Sequence, residues 1–147
     1  MKIAIGCDHG GYELKEKVVA HLKEKGYEVK DCGCNSKASV DYPVYGKAAA
    51  EAVASGECEK GIVICTTGIG ISISANKVKG IRCAKVSTKE EAEVTRIDND
   101  SNIVAFGEKT SFDEALAIVK TFINTESSDL EKHKRRINKI KEYEETH

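Results

Sequence analysis

The residues at 65–70, Cys-Thr-Thr-Gly-Ile-Gly, are the part of this chain best suited to chemistry. They directly follow an apolar run, Ile62–Ile64, and precede a segment of helical character. Glycines let backbone N–H groups turn towards a ligand, and a helix N-terminus attracts negative charge and favours the thiolate form of a nearby cysteine. The stretch therefore predicts a small-anion site with the Cys65 thiol at its lip. A purely structural strand-to-helix turn would show the same pattern.

Two common phosphate-binding motifs do not fit this stretch. A dinucleotide fingerprint needs a third glycine at the place of Ile73 and an acidic residue after the next strand, where the chain has Lys85-Val86-Ser87. A P-loop needs Gly-Lys-Ser/Thr four residues after its first glycine, and no such string occurs. NAD and nucleotide triphosphates are therefore not expected as cofactors.

The Cys65 thiol has two chemical options, a nucleophile or a general base. Nucleophilic catalysis requires a partner histidine, and the chain contains four histidines. His21 falls within a predicted helix and His147 is terminal, which leaves His9 and His133. Each candidate also has a structural explanation: Cys65 as a small buried residue that ends a core strand, and His9 as a turn residue bonded to the local backbone.

Composition sets limits on the class of protein. The 147 residues suit one domain, and a net charge of −1 with 32% charged residues gives no sign of binding to nucleic acid or to a membrane surface. No apolar run approaches the ~20 residues of a membrane span, and the first residues form a strand pattern rather than a signal peptide. A cytoplasmic protein is expected. Six scattered cysteines predict reduced thiols, and Cys32-Gly33-Cys34 lacks the second ligand pair of a zinc site, so no metal is expected.

Apolar periodicity and turn residues predict five strands that alternate with helices. The expected strands are Lys2–Cys7, Tyr27–Asp31, the apolar run that ends at Cys65, Ile81–Val86 and Asn102–Phe106. The first three expected helices are one from about Leu14 that is capped by Gly26, Val44–Ser55 after the only proline, and Ile71–Lys77. The fourth is Thr88–Asp98, opened by Ser87-x-x-Glu90. The fifth is opened by Ser111-x-x-Glu114 and ends near Asn124, with an apolar stripe of Leu116, Val119 and Ile123.

This alternation predicts an open, doubly wound α/β fold with a parallel sheet and helices on both faces. Ligands of such folds bind outside the carboxyl ends of the strands, so Asp8-His9, Cys65–Gly70 and Asp98-Asn99 are expected at one edge of the molecule. A last charged segment, 129–144, is predicted to be a helix with little core of its own that packs across a dimer. A solvated helix face is the plainer explanation of its basic run 132–136.

Four motifs carry a family resemblance: CDHGGYELK at 7–15, DYP at 41–43, ICTTGIGISISANKVKGIR at 64–82 and RIDNDSNIVAFGEK at 96–109. Together they resemble the ribose-5-phosphate isomerase type B family, which includes the galactose-6-phosphate isomerase subunits. The match spans essentially the whole chain, 1–147. It implies a Rossmann-like homodimer, sometimes paired into a tetramer, that interconverts aldose and ketose phosphates without metal or nucleotide.

The resemblance also implies roles for individual residues. Cys65 would be the base that moves a proton from carbon 2 to carbon 1, with Thr67 close to the reacting oxygens. The backbone of Thr66–Ile71 would form the anion hole for the enediolate. The substrate-binding residues it implies are Asp8, His9, Tyr42, Thr66, Thr67, Gly68, Ile69, Gly70, Asn99, Lys109, Lys132 and Arg136. Among them, Asp8 and Asn99 would hold sugar hydroxyls, and His9 with the basic C-terminal residues would hold the phosphate across the dimer interface.

The chain departs from the family pattern at several of these places. Thr66 stands where the family has glycine, and Asp98 occupies the catalytic position of the ring-opening histidine. Lys109 replaces an arginine, which keeps the charge but loses the bidentate fork. Ribose 5-phosphate is the expected substrate. A hexose 6-phosphate, such as galactose or allose 6-phosphate, and a non-catalytic sugar-phosphate-binding paralogue are the alternatives.

Overall fold

The computed structural model describes all 147 residues, in which strands and helices alternate until a sixth helix closes the chain. The elements are β1 (Lys2–Cys7), α1 (Tyr12–Glu24), β2 (Glu28–Asp31), α2 (Tyr42–Ala54), β3 (Lys60–Cys65), α3 (Ile69–Asn76), β4 (Cys83–Lys85), α4 (Lys89–Asn99), β5 (Ile103–Gly107), α5 (Phe112–Asn124) and α6 (Glu131–Thr146).

The five strands form one parallel sheet in the order β2-β1-β3-β5-β4. The centre of the sheet is β3, where Ile64 lies opposite Cys7 on β1 and Cys65 lies opposite Gly107 on β5. The carboxyl ends of β1, β3 and β5 therefore meet at the same edge. The predicted Rossmann-like α/β fold is confirmed.

Apolar side chains cover both faces of the sheet, as the unbroken β-branched strands predict. One core packs Ile5, Ile62 and Phe106 against α1 and α5, and an alanine-rich core packs Ala4 and Val63 against α2 and α3. Successive residues of a strand face opposite sides, so Cys65 belongs to the alanine-rich side. Small residues let α2 lie close to the sheet and to the end of β3.

Several element boundaries differ from the sequence predictions. The helix α3 begins at Ile69, two residues earlier than predicted, and β4 is only three residues long. The cap of α4 lies one residue later than predicted, because the Thr88 hydroxyl accepts from the Glu91 N–H (3.2 Å) and the Glu91 carboxylate accepts from the Ser87 N–H (2.7 Å). The predicted cap of α5 is confirmed: the Ser111 hydroxyl accepts from the Glu114 N–H at 3.2 Å.

The last helix, α6, has little core within its own chain. Ile137 is its only buried residue, and the N–H of Gly80 donates to the Glu144 carboxylate (2.9 Å) near the other end of the helix. Ile140 and Tyr143 are 51% and 65% exposed. The poor intrachain core matches the sequence prediction, while packing across a dimer stays a prediction. No helix of the chain combines the length and hydropathy that a membrane span requires.

Candidate active site at the carboxyl edge of the sheet

The thiol of Cys65 lies at the carboxyl end of the central strand and is only 4% exposed. Its Sγ accepts a hydrogen bond from the backbone N–H of Gly68 at 3.1 Å. Gly68 has a left-handed φ of +80°, and a methyl group placed there would come within 2.6 Å of the Phe106 carbonyl carbon. The loop can therefore close over the sulfur only with glycine at this position. A fixed N–H donor of this kind stabilises a thiolate.

The two threonines after Cys65 connect the loop to its neighbours. The Thr67 hydroxyl accepts from the Ile69 N–H at 3.1 Å, in the first turn of α3. The N–H of Glu108 donates to the carbonyl oxygens of Cys65 (3.0 Å) and Thr66 (3.2 Å), which ties the loop to the end of β5. Both threonine side chains are exposed. The Thr66 hydroxyl lies against Gly10, where an added methyl group would come within 2.5 Å of its oxygen.

Asp8 and His9 extend the site from the end of β1. The Asp8 side chain is 5% exposed and accepts from the Gly11 N–H at 3.1 Å. The Nδ1 atom of His9 accepts from the Val40 N–H at 3.1 Å. A ring nitrogen that accepts a hydrogen bond carries no proton, so the neutral imidazole keeps its proton on Nε2 and can donate it to a ligand.

The Tyr42 ring borders the same loop from the start of α2. A methyl group on Gly70 would lie 2.7 Å from the ring, so only glycine permits this approach. Tyr42 remains 40% exposed. The ring therefore forms a side wall of the site above the first turn of α3, next to the exposed Ile69.

A polar cleft of about 460 Å³ opens on the far side of the loop, towards β4. Its lining contains two lysines and no apolar or acidic side chain. The lining residues are Thr66, Thr67, Lys85, Ser87, Gly107, Lys109 and Thr110. The Lys85 ammonium donates to the Ser87 hydroxyl at 2.9 Å. Positive charge thus flanks the loop on the β4 side, with His9 on the β1 side. Sequence reasoning used Lys85 only to argue against a dinucleotide site.

The expectation that Asp98-Asn99 shares this edge is wrong for a single chain. These residues end α4, and a helix between parallel strands runs back to the amino edge of the sheet. The carbonyl of Asn102, just beyond α4, accepts from the N–H of Gly61 at the start of β3 (2.9 Å). The six residues of β3 span roughly 20 Å, and that length separates Asp98 from the Cys65 loop.

Lys132 and Arg136 also lie away from the Cys65 loop. Both are exposed on α6, which packs on α4. The Nε2 atom of His133 lies 3.6 Å from the Asp98 carboxylate, and its buried Nδ1 has no hydrogen-bond partner. Of the two candidate partner histidines, only His9 shares an edge with Cys65 within one chain. No sequence signal indicated the His133–Asp98 contact, because the residues lie on different helices.

The other cysteines differ from Cys65 in their surroundings. All six thiols are free. Burial and the nearby Cys34 raise the pKa of Cys7 to about 12, and burial raises the pKa of Cys83 to about 12. Both remain protonated thiols at neutral pH. No group of three His, Cys, Asp or Glu side chains comes close enough together to hold a metal ion.

A family model described as Ribose/Galactose Isomerase matches residues 3–140 of the chain. The chain belongs to this family. The resemblance that the motifs indicate is confirmed, and the protein is an enzyme of the aldose–ketose isomerase class.

Solved and curated relatives agree with this assignment. The structure of ribose-5-phosphate isomerase B from Clostridium thermocellum is 51% identical, with a TM-score of 0.96 over 99% of both chains. Ribose-5-phosphate isomerase B of Escherichia coli is 52% identical over 74% of this chain and 72% of its own length. The galactose-6-phosphate isomerase subunit LacB of Clostridium acetobutylicum is 48% identical over 73% of this chain and 62% of its own length.

Proposed function

We propose that the protein interconverts ribose 5-phosphate and ribulose 5-phosphate through an enediolate, with Cys65 as the base. The observation that carries this proposal is the buried Cys65 sulfur, which accepts the Gly68 N–H at 3.1 Å inside a glycine loop at the carboxyl edge. A thiolate takes the proton from carbon 2 and returns it to carbon 1, while a second proton moves between the two oxygens. In the open-chain sugar the C2–H bond breaks and a C1–H bond forms, whereas a furanose must first open by cleavage of its C1–O4 bond.

The loop around Cys65 would stabilise the enediolate. Negative charge develops on the two oxygens as the proton leaves carbon 2, and backbone N–H groups of the loop are fixed before the reaction begins. One such donor typically contributes about 3 kcal/mol to the transition state. Thr67 belongs to this loop, and its hydroxyl would contact the same oxygens.

The ends of β1 and β5 would hold the rest of the substrate. Asp8 would bind a sugar hydroxyl, and Tyr42, which borders the loop, would line the pocket. His9 would donate from Nε2 to the phosphate, because Nδ1 is already bonded to Val40. Lys109 adds a positive charge on the other side of the loop.

We propose that a second copy of the chain completes the site, as a homodimer that can pair into a tetramer. Asp98, Asn99, Lys132 and Arg136 lie at the opposite edge of their own subunit and can reach a Cys65 loop only across an interface. The exposed Ile140 and Tyr143 of α6 supply apolar surface for that interface. Arg136 would then bind the phosphate together with His9.

A hexose 6-phosphate is the second candidate substrate. The likeness to the galactose-6-phosphate isomerase subunit LacB, 48% identical over 73% of this chain, supports this candidate. The observation that favours a non-catalytic paralogue is Asp98, which replaces the histidine that the family uses for ring opening.

The proposal is tested with the purified protein and a panel of pentose and hexose phosphates, read by product formation and by proton exchange in heavy water. Cys65→Ala should abolish both reactions and leave phosphate binding largely intact. Cys32→Ala and Cys58→Ala, at thiols away from the loop, are the matched controls and should change little. Substantial exchange in the Cys65 variant would move the base to another residue, and no reaction by the wild type would leave a binding protein.

A further inference from the structure

Lys15 is a fully buried charged residue to which the proposed mechanism gives no task. Its side chain, on the first turn of α1, is 0% exposed. The ammonium lies 2.9 and 3.1 Å from the two carboxylate oxygens of Asp31 and 2.7 Å from the Glu16 carboxylate. A lysine is rarely buried unless it is paired, and here both carboxylates pair with Lys15.

The partners of Lys15 keep it charged. Burial alone would lower its pKa, but the hydrogen bonds to Glu16 and Asp31 outweigh burial, so the pKa of Lys15 is raised above its ordinary value. The Asp31 carboxylate is therefore held by a permanent positive charge at neutral pH. Asp31 is the last residue of β2, at the carboxyl edge of the sheet.

Asp31 passes this restraint to the chain that leads into the site. Its Oδ1 also accepts from the Gly33 N–H at 2.9 Å. The Gly33 carbonyl accepts from the Cys7 N–H (2.7 Å), and the Cys34 N–H donates to the Cys7 carbonyl (3.0 Å). Cys7 directly precedes Asp8 and His9. The segment after Asp31 thus binds both backbone groups of Cys7, the last residue of β1.

The same segment reaches the imidazole at its other end. Residues 32–41 contain no helix or strand, and the N–H of Val40 donates to His9 Nδ1 at 3.1 Å. The connection is therefore anchored by Asp31 where it leaves the sheet and holds His9 where it approaches α2. The hydrogen bonds to Cys7 and from Val40 thus connect the Asp31 anchor to the imidazole by two routes.

We propose that Lys15 and Asp31 are positioning residues for His9, fixing the 32–41 connection so that the His9 Nε2–H points at the substrate phosphate. This inference rests on the proposed function, because it takes His9 as a phosphate ligand. Neither Lys15 nor Asp31 touches the substrate. A pair with a purely structural role would change the stability of the protein and leave the steady-state constants of the folded enzyme unchanged.

The first test compares Lys15→Met and Asp31→Asn with Lys30→Met. Lys30 is the matched control, because it removes an ion pair with Glu57 from the same strand β2 at an exposed position. Lys15→Met should raise the KM for the sugar phosphate and the inhibition constant of inorganic phosphate by about tenfold, with kcat within about twofold, since phosphate binding is affected and the base is not. Lys30→Met should leave all three constants unchanged.

The second test shows whether the effect passes through His9. In a His9→Ala background, Lys15→Met should cause no further rise in KM, because the imidazole it positions is gone. Full additivity of the two changes, or a loss of thermal stability with an unchanged KM, overturns the positioning role. If Lys15→Met does not fold, Asp31→Asn carries both tests, because it keeps the size of the side chain.

These outcomes separate the inference from the proposed function. A wild-type protein that fails to isomerise any sugar phosphate, or a His9→Ala enzyme with normal KM, contradicts the function or the role of His9. A His9→Ala enzyme with raised KM beside a Lys15→Met enzyme with normal KM contradicts the positioning role alone.

Discussion

The two edges of the sheet present different kinds of surface. At the carboxyl edge, short turns and glycines bring Cys65, Thr67, Asp8 and His9 together, and the backbone fixes their positions. At the amino edge, the candidate residues stand on the last turn of α4 and on the exposed face of α6, and Arg136 is free of any ion pair within the chain. The carboxyl edge presents polar and reactive groups held by backbone hydrogen bonds, and the amino edge presents charged side chains on helices.

Because the candidate residues lie at opposite edges of one chain, a complete site would require two chains. In the proposed dimer, two-fold symmetry would bring the carboxyl edge of one subunit against the amino edge of the other, and the same contact would occur twice. The proposed catalytic half and the proposed phosphate-clamping half can then stay far apart in one chain and meet in the dimer. The predictions below test whether the two edges meet in this way, and how differently they respond to change.

The largest effect is expected when defects in the two edges are mixed. The assay uses a substrate concentration well below the wild-type KM, where Arg136→Ala should retain only about 1–10% of the wild-type rate. Cys65→Ala and Arg136→Ala subunits should then regain about a quarter of the wild-type activity after dissociation and reassembly in equal amounts, because half of the dimers are mixed and each holds one intact site. Activity is measured before and after subunit exchange, with exchange verified by mass. If the mixture stays as inactive as its parents despite verified exchange, the phosphate is held within one chain and the cross-subunit site is wrong.

Arg136 and Arg135 form a matched pair on α6. Arg135 is paired with Glu131 on its own helix, whereas Arg136 is exposed without a partner. Arg136→Ala should weaken substrate binding by about 10- to 100-fold, because a charge-assisted hydrogen bond contributes about 1.5–3 kcal/mol. Arg135→Ala should have little effect. Equal KM values for both variants would remove the amino edge from the phosphate site.

Gly68, at the carboxyl edge, and Gly80, at the amino edge, allow the stability cost of an added methyl group to be compared between the two edges. Both have positive φ, but a methyl group on Gly80 meets nothing within 4 Å, whereas one on Gly68 strikes the Phe106 backbone. Gly80→Ala should lower the free energy of unfolding by about 1–2 kcal/mol, and Gly68→Ala by about 3 kcal/mol or more. Denaturant unfolding at equal protein concentration measures both. Equal losses would show that the carboxyl edge can relax around a side chain.

The smallest effect concerns the position of the family's ring-opening histidine. Asp98→His should raise the rate with furanose-forming sugar phosphates by a few-fold and the rate with acyclic analogues less, because only the former need a ring-opening acid. Initial rates on both substrate types give the ratio. An equal change on both, or a loss on both, would give Asp98 a different task.

The sequence predicted the parts of the molecule in which function follows a strand directly. An apolar, β-branched run such as Ile62–Ile64 marks a buried strand, and Asp8 and Cys65 come at once after such runs, so topology alone places them at one edge. Gly68 was predictable because the loop needed glycines. The prediction that Tyr42 belongs to the site depended on the family resemblance, because its ring reaches the loop only by packing against Gly70.

The errors and omissions concern positions that depend on how helices run and pack in the folded chain. Asp98 lies in the last turn of α4, and the direction of that helix places it at the amino edge. On α5, Val119 and Ile123 of the predicted stripe are buried, but Leu116 is only partly buried, because the core-facing side of the helix also contains Ile118 and Phe122. Contacts such as Lys15–Asp31 join side chains that only the folded chain brings together.

The hydrogen bond from Val40 to His9 has a consequence for how that imidazole can be dissected. Nδ1 accepts a hydrogen bond from the Val40 N–H, and Nε2 is proposed to donate to a ligand. Asparagine places an amide oxygen near the position of Nδ1, and glutamine places an amide nitrogen near the position of Nε2. The two amides are therefore complementary half-replacements of one ring, the first preserving the attachment of the loop and the second preserving the donor.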